Sequence, residues 1–179
     1  MTDAEAVRQR FQPQEKGLRV SASPCVFCRI VEGVEPSQIV HEDEHTVAFL
    51  NLAQVTEGHT LVVPRAHHRD LADIPLDAAA AVMRAGVHVA RQLSGALRAP
   101  GVNLWHASGE TAWQSVFHFH IHVVPRYADT DLTPPWTETE VPVESLRGLG
   151  EKIRRFRLGE QGADPVGEPG PVSAPPPPP

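Results

Sequence analysis

The stretch Gln38-Ile-Val-His-Glu-Asp-Glu-His-Thr-Val-Ala-Phe-Leu50 decides the fold. Two short runs suited to strands, Gln38–His41 and Thr46–Leu50, flank the polar turn Glu42-Asp43-Glu44-His45, which predicts a hairpin and therefore antiparallel pairing. Downstream, Thr60–Pro64 (TLVVP) reads as a third strand, and its adjacent apolar residues place it centrally in a sheet. Residues 76–97 form the longest predicted helix. It is dense in alanine, with apolar Val82, Val87, Val89 and Leu93 and with Arg84 and Arg91 between them, and Pro100-Gly101 stops it. Val102–His106 and Val116–Pro125 read as a fourth and a fifth strand, and about Val143–Leu158 as a last helix. Upstream, Cys28–Glu32 opens or precedes a short helix ended by Gly33 and Pro36. Few strands around one main helix, with hairpin pairing early in the chain, predict an α+β domain. Its sheet is antiparallel, with about five strands, rather than parallel and doubly wound.

A chain of 179 residues accommodates one domain with tails. Residues 1–23 read as a polar, partly disordered arm with a short helix at Ala4–Arg10, and residues 24–158 as the domain. Residues 159–179 read as a Gly/Pro-rich disordered tail ending in five prolines. Hydrophobic residues at 41% suffice for a core. The formal net charge of −6 and the absence of a long basic run argue against duplex nucleic acid as a partner. A small phosphate ligand needs only a few donors and is not excluded. No apolar stretch has transmembrane length, and the N-terminus lacks the apolar segment of a signal peptide, so the expectation is a cytoplasmic protein without a membrane partner. The two cysteines, Cys25 and Cys28, form a C-x-x-C, which in a reducing compartment reads as metal or redox chemistry before a structural disulfide.

The densest chemistry lies in His118-Phe119-His120-Ile121-His122. On a strand, the three histidines face one way while Phe119, Ile121 and Val123 face the core, and successive rings stand ~7 Å apart. A neutral imidazole, with an ordinary pKa of about 6.5, is a nucleophile at pH 7. With one nitrogen pinned by a backbone carbonyl, the other presents a lone pair to phosphorus, and flanking rings can hold the non-bridging oxygens. Gln114 and Ser115, just before this strand, can donate to a leaving group, and Arg126 just after it is a weaker phosphate candidate. Two histidines at i and i+2 on a strand also make good zinc ligands, so spacing alone leaves catalysis and metal binding both open.

The pattern resembles the histidine-triad superfamily, whose motif is His-x-His-x-His followed by two apolar residues, here His118-Phe-His120-Ile-His122-Val-Val124. Cys25-Val-Phe-Cys28-Arg-Ile30, Glu42 to Asn51, Gly58-His59 to His67, and Gln114-Ser-Val116 appear in the family's order. The resemblance covers about residues 24–127 and is closest to the bacterial histidine-triad hydrolases, with the nucleotide-binding branch next. It implies that His120 becomes nucleotidylated, that His122 contacts the α-phosphate, and that His59 supports the triad. Ser115 and Gln114 would meet the phosphate or leaving group. Val26, Phe27, Ile30, Phe49 and Leu52 would line an apolar slot for the base, although the residues alone read as plain core. Asn51 would reach the ribose. The resemblance further implies a homodimer with a continuous sheet, and no metal requirement in catalysis. It also implies a structural zinc on Cys25, Cys28, His67 and His118, with His68 as the alternative to His67 and a reduced, metal-free thiol pair as the other reading. Three residues depart from the pattern: Asn51 where Asp is frequent, Trp113 where Gly is usual, and Ala107 where Asn is usual. His41, His45, His88 and His106 receive no role.

Two functional classes follow. One is a hydrolase or transferase that cleaves at the α-phosphate of nucleoside phosphoramidates or dinucleoside polyphosphates, with a purine nucleotide or its conjugate as ligand. The other is a nucleotide-binding or zinc-stabilised interaction module with little catalysis.

Overall fold

The computed structural model describes residues 23–133 and 138–156. The expected short helix at Ala4–Arg10, nearly all of the arm, and the tail 159–179 lie outside them. Elements run α1 (Val26–Val31), β1 (Ile39–Glu42), β2 (Thr46–Leu50), β3 (Thr60–Pro64), α2 (Leu76–Leu97), β4 (Gly101–Trp105), β5 (Ile121–Arg126) and α3 (Val143–Arg155). The chain divides into two compact units between Thr133 and Pro134, within the span read from sequence as one domain, and α3 belongs to the second unit.

The first unit is a five-stranded sheet of order β1-β2-β3-β5-β4, with every pair antiparallel, so this part of the fold is α+β as expected. The turn 43–45 closes the β1–β2 hairpin because the Asp43 carboxylate accepts from the backbone N–H groups of His45 and Thr46. β3 is central and buried at every position, as its apolar run requires. Alternation along the strands makes two cores. On one face, Ala48, Val62, Ile121 and Val123 pack with Phe119 against Val82, Ala85, Val89 and Leu93 of α2. On the other, Val47, Phe49, Leu61 and Val63 pack against Phe27 of α1.

Two glycines let α2 lie close to the sheet. A Cβ at Gly86 would stand 2.5 Å from Ile121 Cδ1, so the helix tolerates a poor helix former where β5 comes nearest. Gly58 has φ +87°, and a Cβ there would meet Leu97 Cδ1 at 2.5 Å and both Leu93 and Pro125 at 3.3 Å. The loop 51–59 is held down around it by Thr56 Oγ1–H to the Pro125 carbonyl (2.6 Å) and Tyr127 Oη–H to the Glu57 carbonyl (2.8 Å).

The fifth strand is shorter than its sequence suggests. Alternation predicts Val116–Pro125, but the ladder begins at Ile121. The backbone N–H of Phe119 donates to the carbonyl of His68, not to β3. The buried Gln114 amide ties the same segment to the Arg69 carbonyl (2.7 Å) and to Val116 (3.1 Å). Residues 114–119 are thus anchored to the loop after β3.

Replacement Gly58→Ala combines a left-handed backbone with an overpacked contact. It is expected to cost about 1–3 kcal/mol and to lower the Tm measured by circular dichroism; an unchanged Tm would show that α2 and this loop are not tightly apposed.

Candidate active site

The face of the sheet opposite α2 gathers the histidines. His118 and His120 precede β5, and His122 is its second residue, paired across the ladder with Leu61 of β3 and Trp105 of β4. The expected alternation survives the missing strand: Phe119, Ile121 and Val123 enter the α2 core and the three rings turn the other way. The rings are closer than an extended strand repeat would place them. His120 and His122 have centroids 5.0 Å apart, and only His122 belongs to the ladder.

His120 is nearly buried, at 4% exposure. Its Nδ1 lies 2.7 Å from the His118 carbonyl. A carbonyl only accepts, so Nδ1 carries the hydrogen and Nε2 keeps the lone pair. That Nε2 has no hydrogen-bond partner among the described residues, yet is not among the solvent-sealed orphan atoms. Edge-on contact with Phe27 at 5.2 Å walls one side of the ring. His106, given no role from sequence, supplies a further constraint. Its Nδ1–H donates to the His120 carbonyl (2.7 Å), while its ring stacks on Phe119 at 4.4 Å. Only the β4–β5 register reveals this, by bringing the residue after Trp105 alongside the triad.

His118 does not flank the site as a phosphate donor, contrary to the reading from alternation alone. Its Nε2–H donates to the Pro64 carbonyl (3.0 Å), and its Nδ1 faces Cys25 Sγ at 3.6 Å and Cys28 Sγ at 3.5 Å. His67 Nδ1 stands 3.3 Å from Cys28 Sγ. These four ligand atoms all lie within 4.8 Å of one another. Tetrahedral zinc, with bonds of about 2.3 Å to sulfur and 2.0–2.1 Å to nitrogen, separates S and N ligands by ~3.6 Å, so the cluster has the dimensions and donor set of a closed zinc site. His68 turns instead toward Asp73, at 4.0 Å.

The remaining expected residues separate. His59, buried, places Nε2 2.9 Å from His122 Nδ1. Asn51 sits beside His59, its amide Nδ2–H donating to the Ala53 carbonyl at 3.0 Å. Phe27 and Phe49 are core residues in edge contact at 5.4 Å, and Ile30 packs partly buried beside them. Val26 is partly exposed, and Leu52 is 97% exposed, outside any slot in this structure. Ser115 is exposed, whereas Gln114 has its amide spent on the Arg69 and Val116 carbonyls and its Oε1 on Gly109 N–H. Arg126 reaches Asn103 and the Ala128 and Asp129 carbonyls. Trp113 has φ +69°, a left-handed position that favours glycine, and its indole is largely exposed. Ala107 is buried.

Burial governs the charge state. Desolvation pushes His118 and His122 down to about 4, reinforced by neighbouring imidazoles and, for His118, partly offset by the Pro64 carbonyl. Desolvation also lowers His59 and His120, with the His118 carbonyl opposing it at His120. The rings are therefore neutral at pH 7, as a nucleophile or metal ligand must be. In the unfolded chain they titrate near 6.5. Between that value and about 4 the unfolded state binds more protons, so stability is complete above pH 6.5 and declines as pH falls toward 4. Metal-free protein is expected to show this as a Tm that drops across that window; a flat Tm profile would mean the rings are hydrated in the folded state.

Comparison with known proteins agrees with this geometry. The HIT domain family model matches residues 32–129. "Protein hit" of Bacillus subtilis is 42% identical over 110 residues, which span 62% of this chain and 76% of that one. The crystal structure of a zinc-bound histidine triad family protein from Mycobacterium smegmatis is similar with a TM-score of 0.60 at 37% identity, covering 74% of this chain and 94% of that one. A histidine triad nucleotide-binding protein from Candida albicans has a TM-score of 0.64 at 29% identity, covering 73% and 94%. With a family match over more than half its length, and a sheet that sets three histidines on one face, this chain belongs to the HIT domain family.

Proposed function

We propose that the chain binds a purine nucleotide or nucleotide conjugate and cleaves it at the α-phosphate through a covalent nucleotidyl-His120 intermediate. The observation that carries this reading is the 2.7 Å contact of His120 Nδ1 with the His118 carbonyl, which leaves the Nε2 lone pair unpaired. Nε2 attacks phosphorus, the bond to the leaving group breaks, and that group departs with its electron pair and takes a proton. Water then attacks the same phosphorus, releases to solvent the proton that balances the one the leaving group took from it, and displaces the imidazole, returning His120 neutral. Nucleoside phosphoramidates and dinucleoside polyphosphates are the substrate classes that this chemistry suits. In this reading His122 contacts the α-phosphate, and Ser115, which is exposed ahead of the triad, meets the leaving group. The reading is also supported by the nucleotide-binding protein among the structural relatives.

Zinc, when bound on Cys25, Cys28, His67 and His118, supplies a structural cross-link and no catalytic chemistry. The cross-link ties α1 to the end of β3 and to the residue whose carbonyl pins the nucleophile. A homodimer completes the reading. β4 is an edge strand, and Leu104 on it is exposed, as are Met83 and Val87 on α2, leaving an apolar strip for a second copy to extend the sheet. Among the described residues no helix is long and apolar enough to cross a membrane.

AMP release from an adenosine phosphoramidate and from diadenosine polyphosphates tests the activity. His120→Ala is expected to lose at least about 10³-fold in kcat, in line with loss of a covalent nucleophile. If wild type and variant are equally inert across the panel while still binding AMP, the binding-module reading replaces the hydrolase. Metal analysis tests the zinc: close to one zinc per chain in wild type, and its loss in Cys25→Ser with a lowered Tm. Wild type prepared without chelators and containing no zinc would end that assignment.

A further inference from the structure

Residues 109–114 form a tight turn with a residue of positive φ at each end. The N–H groups of Ala112 and Gln114 both donate to the Gly109 carbonyl, at 3.1 Å each, and Trp113 N–H donates to the Glu110 carbonyl at 2.8 Å. At the first end the unusual backbone falls on glycine, Gly109 with φ +83°. At the second it falls on Trp113, with φ +69° and ψ 25°. Left-handed backbone crowds the Cβ of a bulky residue, so glycine suits this position better. Packing does not offset the strain, because the indole is 69% exposed. A large apolar ring held in water on strained backbone is a cost to the fold, and such costs concentrate where a site uses them.

The turn that displays the indole is fixed at both of its sides. Gln114 is buried, and its side chain accepts from Gly109 N–H (2.7 Å) and donates to the carbonyls of Arg69 (2.7 Å) and Val116 (3.1 Å). Ser108 Oγ accepts from Leu71 N–H at 3.2 Å, a second tie to the loop after β3. Trp113 and Ser115 flank the inward-turned Gln114, and both are exposed. Arg69, whose carbonyl the Gln114 amide holds, lays its guanidinium 5.0 Å from the ring centroid of Phe117 and is itself largely exposed. Its nearest carboxylate, Asp70, stands at 3.7 Å. The segment leading into the triad therefore presents to solvent an indole, a hydroxyl and, from the loop bound to it, a guanidinium.

We propose that Trp113 is a specificity-determining residue, a stacking platform that selects substrates whose leaving group carries a flat aromatic ring. The assignment of that ring to the leaving group rests on the hydrolase reading above, which puts Ser115 on the same side; binding of the ring to the indole does not. An indole face held on a braced turn stacks on a planar ring with little further ordering, and such stacking tolerates any base because every base has a π-face. The ring has two chemical sources, a second nucleobase beyond a phosphate chain or an aromatic amine on the phosphorus. Arg69 favours the first, since a guanidinium on the same segment meets the phosphates between two nucleosides. Glycine, usual at this position in the family that the chain resembles, fits the same view: the indole is an addition for selecting substrate and not a part of the triad's chemistry.

Binding is read without turnover by calorimetry on full-length protein carrying His120→Ala. Diadenosine tetraphosphate is expected to bind about 5–150-fold more tightly than adenosine tetraphosphate, the value of one stacked base. Trp113→Gly and Trp113→Ala should erase that preference, and Trp113→Phe should keep most of it. The amine source is read in the His120 protein from adenosine phosphoramidates of benzylamine and of cyclohexylmethylamine, which differ in aromaticity at nearly equal size; a kcat/KM ratio that favours benzylamine and is lost in Trp113→Gly shows stacking there. Stability supplies a readout of opposite sign to a packing role: Trp113→Gly, which relieves the backbone, should melt at or above its parent, and Trp113→Ala, which keeps the strain without the ring, below Trp113→Gly. Preference for neither aromatic probe, a preference that survives in folded Trp113→Ala, a Tm several degrees lower in Trp113→Gly, or a changed oligomeric state in sedimentation overturns the proposal. A Trp113-dependent preference for diadenosine tetraphosphate in a protein whose wild type hydrolyses nothing upholds the platform and removes the hydrolase reading alone.

Discussion

Everything in the first unit depends on a sheet with unlike faces. One face is closed by α2, where Val62, Val82, Val89 and Val123 are completely buried, and the other carries the imidazoles beside a smaller core around Phe27. Because side chains alternate with period two, a shift of one residue in β5 would exchange His122 for Val123 and bury the wrong set. The β3–β5 ladder therefore holds function and stability in the same register: Leu61 opposite His122 on one face, Val62 opposite Ile121 on the other. The helix can press that closely only where glycine replaces a side chain, opposite Ile121 and beside Leu97.

Within that frame, backbone carbonyls decide which nitrogen of His118, His120 and His106 carries hydrogen. Pro64 takes the Nε2–H of His118, which turns Nδ1 toward the thiols of α1. His118 in turn offers its own carbonyl to His120, and the His120 carbonyl is held by His106. The cysteine cluster and the candidate nucleophile are therefore mechanically continuous. Cys25 and Cys28 are separated from His120 by a single residue, His118. On the far side, the 51–59 loop reaches His122 through His59. The central ring is braced from two directions by different means, a cluster fit for metal on one and a neutral hydrogen-bond relay on the other. Desolvation acts on the whole set together, favouring uncharged rings throughout.

Local rules carried much of the fold. The strands at 46–50 and 60–64 and the helix at 76–97 occur at the bounds expected from alternation, alanine density and the Pro-Gly stop. The hairpin turn follows from Asp43, whose carboxylate caps the two N–H groups it faces. Alternation overstates the fifth strand at its start, because a run of alternating residues looks alike whether or not its backbone finds a partner strand. At Phe119 the partner is the carbonyl of His68, fifty-one positions earlier by number and invisible to periodicity.

The sequence by itself determined the chemistry available: three alternating histidines, a C-x-x-C and a glutamine–serine pair in an order resembling a known family. Such patterns are local, and covalent spacing is enough to set which face a side chain takes. Tertiary structure alone decided what each group is free to do. It turned His118 from a phosphate donor into a partner of Pro64 and the thiols, spent the Gln114 amide on loop carbonyls, left Leu52 in solvent, and drew His106 to the backbone of the nucleophile. The reason is physical: an imidazole or amide acquires a role only when its neighbours specify donor or acceptor, and those neighbours come from distant strands through hydrogen bonds that no spacing rule contains.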